Sequence, residues 1–176
     1  MPALPDPLHP AIVHLPIALA VLMPLVAVAG AAAIRLGFVP ARAWLAVVAL
    51  QLALVLGGWA ALETGEEQED RVERVVAERP IEAHEERAER FEWLAGVALL
   101  VMAAGGLRGA AGGVARGASV AAALVVLAAG VQVGHTGGEL VYRHGAANAY
   151  VQGAAGSAAS GAPARPEAYG HEDHDD

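Results

Sequence analysis

The chain has 176 residues, 56% of them hydrophobic, and a mean hydropathy of +0.45, which is too apolar for a soluble domain of this size and puts the membrane class first. It contains no cysteine. Disulfides, thiolate metal sites, iron–sulfur clusters and covalently attached c-type haem are thereby excluded, and histidine and carboxylate remain as ligand chemistry. With a formal net charge of −8 no nucleic-acid partner is expected, and the expected partners are membrane lipid and other proteins.

A bilayer-spanning helix needs about 20 predominantly apolar residues. Four segments approach that length, at 11–34, 43–62, 91–107 and 117–133, and the last two gain length if helix continues past their apolar cores. The expected fold class is therefore all-α, a polytopic four-transmembrane-helix bundle spanning residues 1–146. The first segment is read as a retained helix, because Asp6 and no Lys or Arg precede it and it is longer than the apolar region of a signal peptide. Arg35 and Arg42 follow the first segment, Arg108 and Arg116 follow the third, and neither connection holds an acid. By the positive-inside rule both connections are cytoplasmic and both termini lie outside. Trp59 and Trp93 are then expected at the outer interface and Trp44 at the inner one.

Pro10 suits the first turn of the first helix, where its missing N–H has no intrahelical partner, whereas Pro16 and Pro24 lie deeper and are expected to bend it. Residues 63–92 are too charged for lipid and rich in helix formers. They are read as an extended outer helical segment: the second helix continuing to about Arg79, a break at Pro80, and the third helix starting there. Ile81, His84, Ala88, Phe91 and Ala95 recur at three- and four-residue steps, so His84 shares the face that becomes the buried face of the third helix. No sequence repeat stands out. Beyond Ala146 the chain is dominated by Ala, Gly, Ser and Pro, and residues 147–176 are expected to form a disordered tail. Its acidic end, "HEDHDD", is read as a solvated terminus in preference to a weak cation site.

With this topology five of the seven histidines gather at one end of one bundle. His9 and His14 open the first helix, His84 leads into the third, His135 leaves the fourth and His144 follows it. Ionisable residues at membrane depth are costly and face a bundle interior or a cavity. His14, His84 and His135 lie on three helices at similar depth and are the strongest ligand candidates, with His9 beside them and His144 weaker. His9 and His14 are five apart, about 140° and about 7.5 Å on an ideal helix, so one helix does not grip a small ion with both. "HEERA" at His84 lacks the second histidine of a zinc-protease helix. Ligands from separate helices suit a wide planar cofactor, and haem b held by imidazoles is the candidate. Gly57, Gly58, Gly96, Gly130, Gly134 and Ala18 offer room, although small residues also serve ordinary close packing of membrane helices.

"LHPAIVHLPIAL" near the start, "ETG" at the end of the second helix, a histidine ahead of the third and "GHTGGELVYRHG" after the fourth resemble a bacterial four-helix membrane domain family of unknown function. That family opens with an H-P-x-x-V-H-F-P-type motif and closes with G-H-x-G-G-x-L-V-Y. The matching positions are His9, Pro10, Val13, His14 and Pro16, then Gly134, His135, Gly137, Gly138, Leu140, Val141 and Tyr142. Leu15 stands where the family commonly has an aromatic residue, and the segment before the third helix is longer and more acidic. The resemblance implies a place among small bacterial membrane proteins considered for b-type haem binding, with no established reaction.

The leading expectation is a membrane b-type cytochrome or haem-binding subunit of a redox complex that exchanges electrons at the outer face. The alternative is a cofactor-free structural or assembly subunit, since no set of nucleophile, base and acid is recognisable and an enzyme reading is weak. A metal transporter or sensor is disfavoured because the spans hold only Gln51 and Gln132 as strongly polar groups near their centres. All 19 acids and seven of the eleven arginines fall outside, a surface that would steer a basic partner such as a soluble c-type cytochrome, although a simply solvated acidic face accounts for it as well. On sequence alone, replacing His14 or His135 with Ala is expected to abolish cofactor retention in an absorption spectrum of the purified protein.

Overall fold

A computed structural model describes residues 7–151. The elements in chain order are α1 (His9–Ile12), α2 (His14–Arg35), a 3-10 turn (Ala41–Ala43), α3 (Trp44–Val72), α4 (Glu78–Ala104) and α5 (Gly109–Tyr142), with no strand among the described residues. Three helical stretches are long and apolar enough to cross a membrane: His9–Arg35, Ala41–Val72 and Gly109–Tyr142. The chain is thus an all-helical protein with three candidate spans. α4 is not among them, because its first half is charged and only its second half is apolar.

The four long helices pack in cyclic order, each against two neighbours, and α1 lies against α3. One end of this bundle carries the histidines and the other the Trp44 and Arg116 side chains. The apolar core runs between them through Leu19, Ala20, Met23, Ala27, Leu54, Phe91, Ala95, Ala98, Met102, Ala123 and Val126. Much of the remaining apolar surface is exposed, for example Leu25, Leu45, Leu100 and Val114, as suits helices whose outer faces meet lipid rather than water.

Several boundaries differ from the sequence expectations for identifiable reasons. The first helix is interrupted at Val13, three residues before Pro16, whose ring and missing N–H disturb the turn preceding it. The charged segment breaks at 73–77 rather than at Pro80; Pro80 sits in the first turn of α4, where it costs no hydrogen bond. α5 runs through Gly134, Gly137 and Gly138 to Tyr142, so "GHTGGELVY" is helix and not a connection after it. Trp44, expected at an interface, is fully buried and donates its indole N–H to the Met102 carbonyl at 2.7 Å. Arg116 lies 5.9 Å over the same ring and donates to the Gly105 carbonyl at 2.8 Å, closing that end. Of the tail, residues 148–151 form a helical turn, and the rest, with "HEDHDD", lies outside the described residues.

The two hairpins repeat each other in their buried positions, contrary to the sequence reading. Pro16, Ala20, Met23 and Ala27 follow His9 by 7, 11, 14 and 18 residues, and Phe91, Ala95, Ala98 and Met102 follow His84 by the same steps; all eight are buried. Counting back from Thr64, the residues Gly57, Leu54, Gln51 and Val47 stand where Ala129, Val126, Ala123 and Ser119 stand relative to Thr136, again all buried. The two halves are therefore related by an approximate two-fold arrangement about the bundle axis. Departures from it are informative. Gln51 is fully buried and donates to the Ala95 carbonyl at 3.0 Å, and its Oε1 has no partner among the described residues, nor has the buried Oε2 of Glu92.

Glycine packing makes a test of this bundle. A Cβ at Gly105 would meet the Trp44 indole, whereas one at Gly96 would meet nothing within 4 Å. Gly105→Val is expected to cost about 1–3 kcal/mol through overpacking, and Gly96→Ala to be neutral or to stabilise by up to about 1 kcal/mol through helix propensity, read from thermal unfolding in detergent.

Candidate functional site

The histidine end is organised by the residues that face inward there. His9, one heptad before Pro16 on the buried stripe, lies against α3. Its Nδ1 is 2.8 Å from the Ala61 carbonyl. Because a carbonyl only accepts, Nδ1 carries the proton in this bond, and Nε2 keeps its lone pair. The His84 Nδ1 is 3.0 Å from the Thr136 hydroxyl oxygen. That hydroxyl has the Gln132 and Val133 carbonyls at 3.2 and 3.1 Å as acceptors for its own proton, so it accepts from Nδ1–H, and His84 has the same tautomer. His84 also feels the Val133 carbonyl, the counterpart of Ala61.

Glycine explains why these carbonyls are within reach. In an α-helix the carbonyl of residue i points toward residue i+4, whose side chain shields its second lone pair. Gly65 and Gly137 are the i+4 residues of Ala61 and Val133. A Cβ at Gly65 would lie 3.4 Å from the His9 ring, and one at Gly137 would lie 3.1 Å from the His84 ring. Thr64, immediately before Gly65, donates to the Ala60 and Ala61 carbonyls at 2.9 and 3.2 Å, as Thr136 does one repeat later. The unit is thus a histidine on one helix facing Thr–Gly on the next, built twice. Gln68, with its amide oriented to accept from the Leu8 and His9 N–H groups at 3.0 and 3.2 Å and to donate to the Tyr150 hydroxyl at 2.8 Å, ties the α1 turn to α3.

The sequence candidates divide into two sets. His9 and His84 turn inward and stand close enough for the charge of one to oppose protonation of the other. His14 and His144 lie on exposed faces, and the His135 side chain is 73% exposed with its Nε2 3.6 Å from Glu139. No group of three or more His or acidic side chains among the described residues is arranged to hold a metal ion. Sequence reasoning named Gly137 only as a position of the resemblance and assigned no role to Ala61, Gly65 or Thr136. "ETG" and "HTG" are the shared signal that pointed to them.

The charged extension above the histidines has its own electrostatics. Burial foremost, and then Glu69, Glu89, Glu66 and Glu82, push the Glu85 carboxyl above the ordinary range. His84 is shifted the other way: burial foremost, then the nearby His9, hold its imidazole below the ordinary value. No protein-family model, curated protein or solved structure matches the chain.

The depressed His84 value fixes the sign of a pH dependence. The unfolded chain binds the proton more readily, so the contribution of His84 to stability is fully present above about pH 6.5, the ordinary imidazole value, and is lost as pH falls through the lower folded value. Unfolding midpoints measured between pH 8 and pH 5 are expected to fall for the unaltered protein and to fall less for His84→Gln.

Proposed function

We propose that this chain is a four-helix integral membrane protein of the bacterial inner membrane that holds a b-type haem at its extracytoplasmic end through His9 and His84, and that it serves as an electron-transfer protein or a subunit of a redox complex. Both termini lie outside, by the distribution of arginines. α4 crosses as the fourth span through its apolar second half, enclosed by α3 and α5 and shielded from lipid on those sides.

The observation that carries the reading is the matched state of two inward imidazoles from separate helices. Each donates its Nδ1–H to the protein and presents an Nε2 lone pair, the arrangement found when a histidine ligates a metal, its other nitrogen fixing tautomer and orientation. In ligand chemistry the two imidazoles are the donors that would hold a b-type haem iron. Room for the macrocycle would come from α1, a separate four-residue helix joined to α2 at the Val13 interruption, so its spacing from α4 adjusts without disturbing the core below. When bound, the haem would supply a one-electron iron couple. The protein's part is to orient the two rings, to keep the Nε2 atoms unprotonated, and to cover the site with the low-dielectric bundle.

A cofactor-free structural subunit is the second reading, and one observation favours it: both rings already have protein acceptors, and neither lines the hollows flanking α4. In that reading the imidazoles pin α1 to α3 and α4 to α5. The exposure of His14 and His135 moves the ligand role from those residues to the inward pair. In an absorption spectrum of the detergent-purified protein, oxidised and then dithionite-reduced, we expect a Soret band with resolved α and β bands on reduction. His9→Ala and His84→Ala should lose it, and His14→Ala and His135→Ala should retain it. Loss in the latter two alone would return the site to the exposed histidines, and a featureless spectrum after haem supplementation would favour the structural subunit.

A further inference from the structure

A hollow of about 220 Å³ opens between α4 and α5, one turn inward from the site. Its walls are Leu94, Val125 and Ala128, and its outer rim carries Arg87, Arg90 and Gln132. For scale, a dry apolar cavity of about 150 Å³ takes a benzene molecule, so this volume suits one substituted six-membered ring. It opens at the bundle surface where the charged half of α4 gives way to its apolar half.

The hollow breaks the two-fold repeat. The first-half counterparts of Arg87, Arg90, Ala128 and Gln132 are Ile12, Leu15, Leu56 and Ala60. There the Leu15 side chain packs to 3.5 Å of the Gly57 position, and the hydrogen-bond donors are absent. In the second half the void has polar groups at its mouth, at positions that are apolar in the first half.

The rim offers donors with little net positive charge. Its two arginines are offset by Glu86 and Glu89, which adjoin Arg90 in a neighbouring hollow that also contains Trp93, and Arg87 already gives Nη1 to the Ala83 carbonyl at 2.7 Å. A rim of this kind suits a neutral acceptor such as a ring carbonyl better than an anion. We infer that this hollow is a binding site for the ring of a lipid-soluble quinone, with its carbonyl oxygens at Arg90 and Gln132 and its apolar chain lying along Val125 and Ala128 into the bilayer. The site stands independently of the haem reading, and would give a haem at His84 a membrane-soluble redox partner one turn away.

The test is quenching of tryptophan fluorescence by decylubiquinone, titrated into the full-length protein in nanodiscs of neutral phospholipid. Saturable quenching is expected, with Gln132→Leu and Ala128→Phe each weakening the apparent affinity about tenfold or more while the unfolding midpoint stays within a few degrees. Because Gln132 is exposed, its substitution carries the test if Ala128→Phe disturbs packing. Quenching that rises linearly and equally in all three proteins would mean partition into lipid and would overturn the site. Saturable quenching that an anionic phospholipid abolishes at equal mole fraction would overturn the quinone assignment in favour of a lipid headgroup. A spectrum without haem alongside saturable, variant-sensitive quenching would leave this site standing and remove only the haem.

Discussion

The histidine end depends on a backbone carbonyl left uncovered by a glycine one turn later. Ala61 with Gly65, and Val133 with Gly137, let an imidazole from the adjacent helix approach a helix that would otherwise present a closed surface of side chains. Each approach orders a ring, selects its tautomer and brings two elements together at that end of the bundle. In a low-dielectric setting such bonds are strong and leaving them unmade is costly, which fixes the register of α1 on α3 and of α4 on α5.

The bundle beneath mixes small and large residues. Ala20, Ala27, Ala95, Ala98 and Ala123 alternate in the core with Leu19, Met23, Leu54, Phe91 and Met102, so small residues let the helices approach while dispersion over many contacts replaces the hydrophobic driving force that lipid does not supply. The opposite end is closed by Trp44 and Arg116, which hold the same place in the two halves but contribute different chemistry, a ring and the cation above it. The repeat is thus one of position. Where a site needs something that symmetry does not provide, the second half differs, and it differs at the charged start of α4 and at Gln132.

Much of the architecture was legible in the sequence, because length and apolarity alone mark spans. The third helix was marked by an apolar run and its periodicity, yet it falls below the threshold of a free-standing span because Glu92 and the charged first half dilute it. The repeat was not legible. Pro16 answers to Phe91 and Gln51 to Ala123, so only spacing is retained, and spacing shows no signal in helices apolar on every face. The same ambiguity governed the histidines. His9 and His14 are five positions apart, so only one can share the buried stripe, but apolar residues all round leave the phase open; buried Pro16, Ala20 and Met23 select His9. Glycines at 134, 137 and 138 read as a loop, whereas packing keeps them helical.

The central claim is that His9 and His84 are held as a matched pair, each with a protonated Nδ1 and an available Nε2. Nitrogen-15 NMR of the histidine-labelled protein in nanodiscs, near pH 8 and without cofactor, tests it directly. The account predicts two imidazoles with protonated Nδ1 and unprotonated Nε2, lost one at a time in His9→Gln and His84→Gln. Protonated Nε2 in both rings would contradict it, because the acceptors at Ala61 and Thr136 would then not be holding the rings and no ligand pair would exist.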